Sequence, residues 1–317
     1  MPKVDDAFTT YDAQANREDL SDIIYNIDPF DTPIMTAIGR RNISNVVFDW
    51  QTEDLPNVDT AADLEGFELA RAAATPTVRQ TGVAQIKHRD ATVSGSQDAA
   101  NPAGKRKEMA HQMALVSKAL KRDCEKIMFG TAQVAATGSA AVARTTRAFV
   151  NWIYTNTTFQ SGALGADPIP GTNTPVVDDG VPVAFTEDML NDTLELCYMN
   201  GAEPSLLFVN AHNKRVVSTF LGRTSARQMI AANKVVNSVT LYASDFGDLK
   251  VLPHRWMRGS DAFLIDPAYA RVAYYRKFQR SPIAKIGDAD TEMILTEFGL
   301  QVDNEAAHGV IRDLVAA

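Results

Sequence analysis

The chain has 317 residues, of which 22% are charged, 45% hydrophobic and 8% aromatic, and its formal net charge is −8. These proportions are typical of a globular protein and exclude a wholly disordered, collagenous or low-complexity chain. The acidic balance argues against a protein that binds duplex DNA tightly over its whole surface. No apolar run approaches the ~18 residues of a membrane span, and the first residues lack the pattern of a secretory signal, so we expect neither.

The first segment, residues 1–44, has the composition of an extension because it holds too few apolar residues for a core of its own. Its first 31 residues contain eight acidic and only two basic side chains. A short amphipathic helix is predicted over residues 17–27, where apolar residues recur at three- and four-residue spacing. Pro29 and Pro33 then interrupt the chain, and Gly39 ends the small segment that follows. We expect an arm that is either disordered or lies on the surface of a partner.

A long hairpin is predicted next. Residues 46–51 alternate between two faces, which is typical of a strand, and a return strand is expected over residues 77–93. The connection Thr52–Pro76 is acidic, rich in alanine and about 25 residues long, whereas usual hairpin loops have two to five. This pattern predicts a projecting hairpin with a flexible tip. Gly82 and Gly95 at its base would allow it to swing, although ordinary turn or bulge roles fit equally well.

A long helix is predicted from Asn101 and Pro102 to Phe129, where Gly130 stops it. A helix of about 26 residues spans roughly 40 Å. Its polar face carries seven basic and three acidic side chains, a local balance of +4. This face is either a solvated surface with intrahelical ion pairs or a surface that meets an acidic neighbour, such as the arm or hairpin of another subunit.

The rest of the chain mixes helices and strands, which indicates an α+β architecture. A short apolar strand or helix over residues 148–154 precedes a loop rich in Pro, Gly and Asp over residues 160–183. Thr186 is expected to cap a helix that ends before Gly201. The further expected elements are a helix over residues 211–221 and strands over 206–210, 235–242, 249–253, 262–265, 272–275, 292–303 and 309–314.

The sequence shows no motif for catalysis, for a cofactor or for a metal ion. It has no glycine-rich phosphate loop and no GxSxG elbow, and no two of its five histidines share the four-residue spacing of a helical metal site. Residues 288–292 (DADTE) lack the glycine and the closing acid of a calcium loop, which favours a solvated turn. Cys124 and Cys197 form no CxxC pair, which favours buried, reduced thiols in a cytosolic setting. We therefore expect no enzyme, no cofactor and no catalytic or metal residues.

Three stretches carry a family resemblance. Residues 17–24 (REDLSDII) and 28–34 (DPFDTPI) place the arm helix before a Thr-Pro step, residues 48–55 (FDWQTEDL) open the hairpin, and residues 295–309 (LTEFGLQVDNEAAHG) lie near the end. In this order they resemble the arm, the extended loop and the closing strand pair of the Hong Kong 97-type (Johnson) fold major capsid proteins of tailed bacteriophages. The resemblance covers nearly the whole chain.

The resemblance implies an α+β Hong Kong 97-type capsid fold with an N-terminal arm, an extended β-hairpin loop, a peripheral domain with a long spine helix, and an axial domain. The expected divisions are the arm over residues 1–44, the extended loop over 45–94, the peripheral domain with the spine helix over 95–143, a mainly axial domain over 144–285, and C-terminal strands that return to the peripheral domain over 286–317.

The resemblance also implies a structural protein that self-assembles as pentamers and hexamers into the icosahedral shell of a virion, after assembly in the host cytoplasm. The implied partners are other copies of the chain, a scaffolding protein, a portal, a decoration protein and packaged double-stranded DNA that is contacted non-specifically, with no membrane. Residues 45–86 contain no lysine, so a covalent cross-link at the loop tip is not expected. The arm follows so soon after Met1 that we expect the scaffolding protein to be a separate chain.

The arm, the hairpin and the spine helix supply the expected contacts between subunits. These contacts would use the apolar face of the arm, the strand and acidic tip of the hairpin, and the basic face of the helix. The candidate interface residues are Leu20, Ile23, Ile24, Trp50, Asp54, Asp59, Asp63, Glu65, Lys105, Arg106, Lys107, Lys121 and Arg122.

The sequence leaves three alternatives, one with the same fold and two from other classes of protein. An encapsulin-like compartment shell would share the fold but enclose cargo enzymes, and the subfamily-like arm argues against it. A cytosolic enzyme with a dispersed active site would leave no sequence motif. A nucleic-acid-binding module is disfavoured because no base-reading or stacking platform is visible.

Overall fold

A computed structural model describes residues 29, 31–53, 55, 58, 60–62, 64–66, 74, 76–100, 107–158, 165–169, 172–178, 180–220 and 240–316. In this part of the chain the α-helices are α1 (Pro33–Ala37), α2 (Gly95–Ala99), α3 (Glu108–Phe129), α4 (Glu187–Met199) and α5 (Ala211–Val217). The strands are β1 (Gly39–Asn42), β2 (Val47–Thr52), β3 (Val78–Val83), β4 (Gln85–Ser94), β5 (Thr157–Thr158), β6 (Leu206–Val209), β7 (Leu241–Ser244), β8 (Gly247–Pro253), β9 (Ala262–Ile265), β10 (Ala270–Pro282), β11 (Ala289–Val302) and β12 (Gly309–Ile311). None of the described helices is long and apolar enough to cross a membrane.

A four-stranded sheet and the long helix α3 pack against each other as two layers. The strand order is β1-β10-β11-β4, in which β10, β11 and β4 are antiparallel and β1 runs parallel to β10. Met113 and Leu120 of α3 pack with Ile294 of β11 in a small buried cluster. Their spacing of seven residues places both on one face of the helix, so α3 lies along the sheet.

A six-stranded sheet, in the order β5-β12-β9-β6-β8-β7, forms the second layer together with α4 and α5. Its central strands β6 and β9 are continuous apolar runs, and every residue of β9 is buried. This pattern is typical of strands that are covered on both faces. Leu190 and Leu194 of α4 and Val217 of α5 pack with the sheet in one core.

A larger core joins the two sheets. It includes Phe129 at the end of α3, Phe149, Phe263 of β9 and Phe298 of β11, all of them buried. The ring centroids of Phe129 and Phe149 lie 5.6 Å apart, and those of Phe149 and Phe263 lie 5.1 Å apart. Aromatic pairs at such distances stabilise a core beyond the area that they bury. The two sheets are therefore packed on a shared centre.

The end of the predicted arm belongs to this body. Ile34 and Met35 of α1 are buried in the shared core, and β1 pairs with β10 from Gly39 opposite Arg271. Burial of two large apolar side chains stabilises this docking by a few kcal/mol. The expectation of an extension up to residue 44 is corrected by these contacts, because residues 33–42 pack against their own chain. Residues 1–28 lie outside the described part.

The expected return strand is two strands in two different sheets. β3 pairs with β2, whereas β4 pairs with β11, and the chain passes from one sheet to the other at Ala84. Ala84 is fully buried, and its N–H donates to the carbonyl oxygen of Val46 at 2.8 Å. A continuous strand over residues 77–93 is therefore wrong, and β4 belongs to the body and not to the hairpin.

The long helix begins later than predicted, at Glu108, after Lys107 in extended conformation (φ −143°, ψ 129°). Residues 101–106 lie outside the described part. The apolar segment over residues 148–154 forms a short 3₁₀-helix, Phe149–Asn151. The strand expected over residues 272–275 extends over 13 residues in β10, because pairing with β11 continues well beyond its apolar part.

Local sequence signals elsewhere are confirmed. The Thr186 hydroxyl accepts the N–H of Met189 at 3.3 Å and caps α4, and Gly201 beyond its end has a positive φ of 79°. The strand over residues 262–265 has the predicted bounds. Of the strand expected over 235–242, the described part is β7, which begins at Leu241.

Candidate intersubunit surfaces

The hairpin of β2 and β3 is fastened to the body at its base. Phe48 is buried and stacks with Trp50 at 5.8 Å between ring centroids, and Trp50 packs on Trp152 at 5.3 Å. The Arg147 guanidinium lies over the Trp152 ring, 4.8 Å from its centroid. Trp50, a predicted interface residue, is therefore half-buried against its own chain.

The glycines at the hairpin base are explained by close packing. A Cβ atom at Gly82 would lie 2.5 Å from Cζ of Phe48, and one at Gly95 would lie 2.5 Å from Oδ1 of Asp288. Neither glycine has a positive φ. In this conformation neither position has room for a side chain. This packing requirement is independent of any role of the two glycines in movement of the hairpin.

Replacing Gly82 with alanine is expected to lower the free energy of unfolding by about 1–3 kcal/mol, the usual cost of overpacking a rigid site. The Phe48 ring must shift to admit the methyl group, and the ring also contacts Gly299, where a Cβ would lie 2.9 Å from Cε1 of Phe48. Chemical denaturation of the unassembled chain measures the loss. Gln80→Ala, on the same strand, is the control, and an equal effect of the two substitutions would contradict this packing account.

The outer part of the hairpin is exposed. Arg79 pairs with Asp49, and the hydroxyl of Thr81 donates to Asp49 at 2.7 Å, so these two partners hold the pKa of Asp49 below its usual value. Beyond the strands, Leu55, Val58 and Leu64 have exposed fractions of 93%, 91% and 83%. These three apolar side chains are therefore accessible to another molecule.

The structure describes only part of the acidic tip of the hairpin. Glu65 is exposed. The other predicted tip residues, Asp54, Asp59 and Asp63, lie outside the described residues, as do Leu20, Ile23 and Ile24 of the arm.

Two of the candidate residues at the basic face of α3 have partners within the chain. Lys107 pairs with Asp98 at 3.1 Å, and the Arg122 guanidinium lies 5.1 Å from the Trp256 ring centroid. Lys121 is exposed. Lys105 and Arg106 lie outside the described residues. The described candidates therefore do not form one cluster: Trp50 lies at the hairpin base, Glu65 at its tip and the others along α3.

A buried polar cluster near the end of α3 was missed by the sequence analysis. The Glu125 carboxylate accepts the N–H groups of Ile34 and Met35 at 2.9 and 3.0 Å and lies 2.7 Å from Nε2 of His254. Nδ1 of His254 accepts the N–H groups of Trp256 and Met257. Nε2 must therefore carry the hydrogen and donate to Glu125.

This cluster fixes the start of α1. Thr32 provides no side-chain cap for the helix, so its first N–H groups need another acceptor. Glu125 supplies that acceptor, and the negative charge also interacts favourably with the N-terminus of the helix. The Trp256 indole N–H donates to the carbonyl oxygen of Asp31 at 3.0 Å. Thr32 is a residue type that commonly caps helices, so the local sequence contains no signal that a distant acceptor is needed.

His308 makes the stability of the fold depend on pH. It is buried in the core, packs on Phe149 at 5.3 Å, and accepts the N–H of Asp266 at 3.2 Å. Burial lowers the pKa of His308 to about 4, from an ordinary value near 6.5. Between these values the unfolded chain binds a proton that the folded chain does not, so stability falls as the pH decreases from 6.5 to 4.

Replacing His308 with glutamine is expected to flatten the stability curve in that window, by up to about 3 kcal/mol between pH 6.5 and 4. The measurement is the free energy of unfolding of both chains across this range. Because the two chains differ only at position 308, the difference between their curves excludes the contribution of other groups. One such group is Asp261, because burial raises its pKa to about 6. Parallel curves for the two chains would show that His308 is not responsible.

No group of three or more His, Cys, Asp or Glu side chains within the described residues is arranged to hold a metal ion. Cys124 and Cys197 are both fully buried and unpaired with each other. Burial raises the pKa of the Cys197 thiol to about 12 and that of Cys124 further still. The predicted burial of both thiols is confirmed.

Comparison with known proteins shows the family to which the chain belongs. The family model of the SU10 major capsid protein matches residues 7–315. The major capsid protein of Escherichia phage Phieco32 is 28% identical over 342 residues, which cover 96% of each chain.

Solved capsid structures share the fold. The capsid of a native GTA particle has a TM-score of 0.63 at 13% identity, and the capsid of cyanophage A-1(L) has 0.62 at 12%. Each match covers 96% of this chain and 98% of the other. The α+β capsid fold and the resemblance to phage capsid proteins are thereby confirmed. Because the family model spans nearly the whole sequence, the chain belongs to the SU10 major capsid protein family.

Proposed function

We propose that this capsid protein acts purely structurally, and that it assembles as pentamers and hexamers into an icosahedral shell that encloses double-stranded DNA. Self-assembly into a shell and a place in the virion follow from the family. The purely structural role, the arrangement as pentamers and hexamers, the icosahedral form, the enclosed DNA and assembly in the host cytoplasm are our proposal. The observation that supports them best is the hairpin, which is fastened at its base and exposes apolar side chains at its tip.

The hairpin fits contacts that pass from one subunit to the next. Head-to-tail contacts between different surfaces of identical subunits close into rings when the rotation closes. Leu55, Val58 and Leu64 gain a favourable environment only when another molecule covers them. We therefore propose that the tip lies on a neighbouring subunit and that stability of the shell derives from such contacts.

We propose that the two sheets form the cores of the peripheral and axial domains. We assign the four-stranded sheet with α3 to the peripheral domain and the six-stranded sheet with α4 and α5 to the axial domain, whose loops would gather around the vertices. β11 fits the expected return of the C-terminal strands because it lies in the four-stranded sheet. Two other strands depart from the expected divisions: β12 lies in the six-stranded sheet, and β10, which was expected in the mainly axial part, pairs with β11 in the four-stranded one. Residues 1–28 remain the proposed arm, and residues 53–77 the proposed loop between subunits.

The partners other than further copies of the chain are part of the same proposal. We propose a separate scaffolding protein, a portal and a decoration protein, and non-specific contact with the DNA. An acidic chain with a charge of −8 suits loose enclosure of a genome that must later be released, because phosphate contacts through many basic side chains would hold it.

Limited proteolysis is expected to cut the unassembled chain first within residues 53–76 or within the arm, and both should become resistant in assembled shells. Exposed loop tips are the preferred sites of cleavage, and contact with a neighbour would cover them. Mass spectrometry of the first fragments locates the cuts. The loop at residues 180–186, which is partly exposed in the subunit, serves as an internal reference. Equal resistance of the hairpin tip in free subunits and shells would refute its role between subunits.

A further inference from the structure

We propose that a cleft beneath the base of the hairpin binds a carboxylate side chain from the acidic N-terminal segment, residues 1–28, of a neighbouring subunit. The donors that the cleft offers are the guanidinium of Arg147 and the indole N–H of Trp152. The inference rests on the proposed function, because it takes the arm to contact another copy of the chain. Binding is measured on the unassembled chain, so it is tested apart from shell formation.

The cleft lies between the hairpin and the body, and we call it the hairpin cleft. Its volume is about 450 Å³. Thr52, Val78 and Gln80 line it from the hairpin, and the lining from the body includes Arg147 and Trp152. Sites for small ligands have volumes of ~300–1,000 Å³, so the hairpin cleft has room for several side chains of a peptide.

Three buried donors meet at the hairpin cleft without an acceptor. Nε1 of Trp152 and Nε of Arg147 have no hydrogen-bond partner among the described residues, although Trp152 is only 5% exposed. Nε1 of Trp50, which packs on Trp152, has none there either. Buried polar groups are nearly always hydrogen-bonded, so three unpaired donors in one place favour an acceptor from another molecule.

Arg147 is also a cation without a carboxylate partner. It forms no ion pair within the part of the chain that the structure describes. Its guanidinium lies over the Trp152 ring, and Nη2 donates to the carbonyl oxygen of Thr172. Burial lowers the pKa of Arg147, which is the expected effect on a cation that is partly removed from water. Arginine keeps its charge all the same, so the charge is available to an anion.

The carboxylates of the hairpin cleft are engaged elsewhere. Asp303 pairs with Arg271 at 3.1 Å. Glu305 accepts two backbone N–H groups, at 3.2 and 3.3 Å. Neither carboxylate accepts from Arg147 or Trp152, whose unpaired nitrogens have no partner among the described residues. The acceptor that suits these nitrogens therefore comes from outside the described body.

A carboxylate suits these donors better than a neutral acceptor. Its two oxygens can accept from the guanidinium and from the indole N–H at the same time, and hydrogen bonds between charged groups are stronger than neutral ones. Neither nitrogen is exposed in this structure, so binding requires the Arg147 side chain to turn from the Trp152 ring toward the cleft. The long arginine side chain can do so by changing rotamer, without movement of the backbone.

The N-terminal segment supplies the carboxylates. Residues 1–28 contain seven acidic and two basic side chains. A segment of 28 residues spans up to roughly 90 Å when extended, which is enough to reach another subunit. The hairpin connection, residues 53–77, is acidic too, but it exposes large apolar side chains, whereas most residues that line the hairpin cleft are polar. A free chain end also enters a cleft more easily than a closed loop does.

Binding in the hairpin cleft would fix the position of the hairpin. Thr52, Val78 and Gln80 belong to the hairpin and line the same cleft as Arg147 and Trp152. A segment held between these two sets of residues would contact the hairpin and the body together. The arm of one subunit would therefore determine how the hairpin of the next is held.

The indole N–H signals of the three tryptophans in an NMR spectrum test the proposal. The receptor is the full-length, unassembled chain with amides in place of the seven acids of residues 1–28, so that its own segment does not compete. The probe is a synthetic peptide of residues 1–28 with its natural acids. At saturation we expect the Trp152 signal to shift and its hydrogen exchange to become about tenfold slower, because the indole N–H gains a charged acceptor. The Trp256 signal should not change.

Three controls accompany this measurement. The same peptide with amides at the seven acidic positions, and a peptide of residues 53–77, should leave the Trp152 signal unchanged. Arg147→Gln in the receptor should weaken binding of the acidic peptide about tenfold, because the charged donor is lost. Arg215→Gln, at an exposed arginine of α5, should have no effect. The amide peptide tests the carboxylate even if the Arg147 variant does not fold.

The proposal is overturned if the acidic peptide and its amide form have the same effect, or if the peptide of residues 53–77 shifts the Trp152 signal in their place. It is also overturned if the parent chain shows the shifted signal at every dilution, because the segment would then bind within its own chain. Shell formation is scored separately by sedimentation. A chain that forms shells without the Trp152 shift would refute this site and leave the proposed function standing.

Discussion

A chain whose hairpin ends at Thr52 and Val78 is expected to fold but not to form shells. In this variant an Asn-Gly dipeptide replaces residues 53–77. Thr52 and Val78 are directly opposite each other in the hairpin, and Asn-Gly is the preferred two-residue connection between such strands. The base contacts of Phe48 and Trp50 remain, so the subunit should keep its stability.

The expected loss of assembly is large because the tip carries the most exposed apolar side chains of the described hairpin. Burial of Leu55, Val58 and Leu64 on a neighbour would contribute about 1.5 kcal/mol or more for each residue, which corresponds to roughly a thousandfold weaker contact when all three are removed. Shell yield in sedimentation and electron microscopy measures the effect. A full-length chain with serine at these three positions separates the apolar part from the length of the loop. Shells at the parent yield from the shortened chain would refute the proposed role of the tip.

Replacing Glu125 with alanine is expected to lower the free energy of unfolding by about 3–5 kcal/mol. The substitution leaves the N–H groups of Ile34 and Met35 and Nε2–H of His254 buried without an acceptor. Each such group costs about 1–3 kcal/mol, partly offset because a buried charge is also removed. The side chain is fully buried, so bulk solvent does not contact these donors in the folded chain.

Chemical denaturation of the unassembled chain, followed by tryptophan fluorescence, measures this loss. Glu125→Gln is the matched control, because its amide oxygen still accepts one or two of the three hydrogen bonds, so its loss should be smaller. Hydrogen exchange at Ile34 and Met35 should become faster in the alanine variant. A loss below about 1 kcal/mol, with unchanged exchange at these two amides, would contradict the role of Glu125 as the anchor of α1.

Local signals made much of the fold predictable from the sequence. The cap at Thr186, the apolar run over residues 262–265 and the apolar stripe of α3 each depend on neighbours within a few residues. The pairing of β2 with β3 was predictable for the same reason, because the alternating strand pattern is local.

The features that were not predicted depend on partners far along the chain. β1 pairs with β10 about 230 residues later, and Glu125 binds α1 91 residues earlier and His254 129 residues later. A glutamate on the polar side of a helix gives no local sign that it is buried. The division of residues 77–93 between two sheets likewise depends on which strands, β2 and β11, are available for pairing.

Several candidate interface residues also have partners in the same chain that the local sequence does not indicate. Trp50 has the sequence context of a strand that projects, and only the position of Trp152 reveals that it packs on its own body. Lys107 and Arg122 also have intrachain partners at Asp98 and Trp256 that no local pattern indicates. Charge along a helix predicts a basic surface, but the fold decides which of its members remain available.

The most direct test of the account is electron microscopy and analytical sedimentation of the purified chain, produced with and without a scaffolding protein. The account predicts closed icosahedral shells in which the hairpin tip of each subunit lies on a neighbour. Protein that stays monomeric under both conditions, at high concentration and across a range of salt, would contradict it.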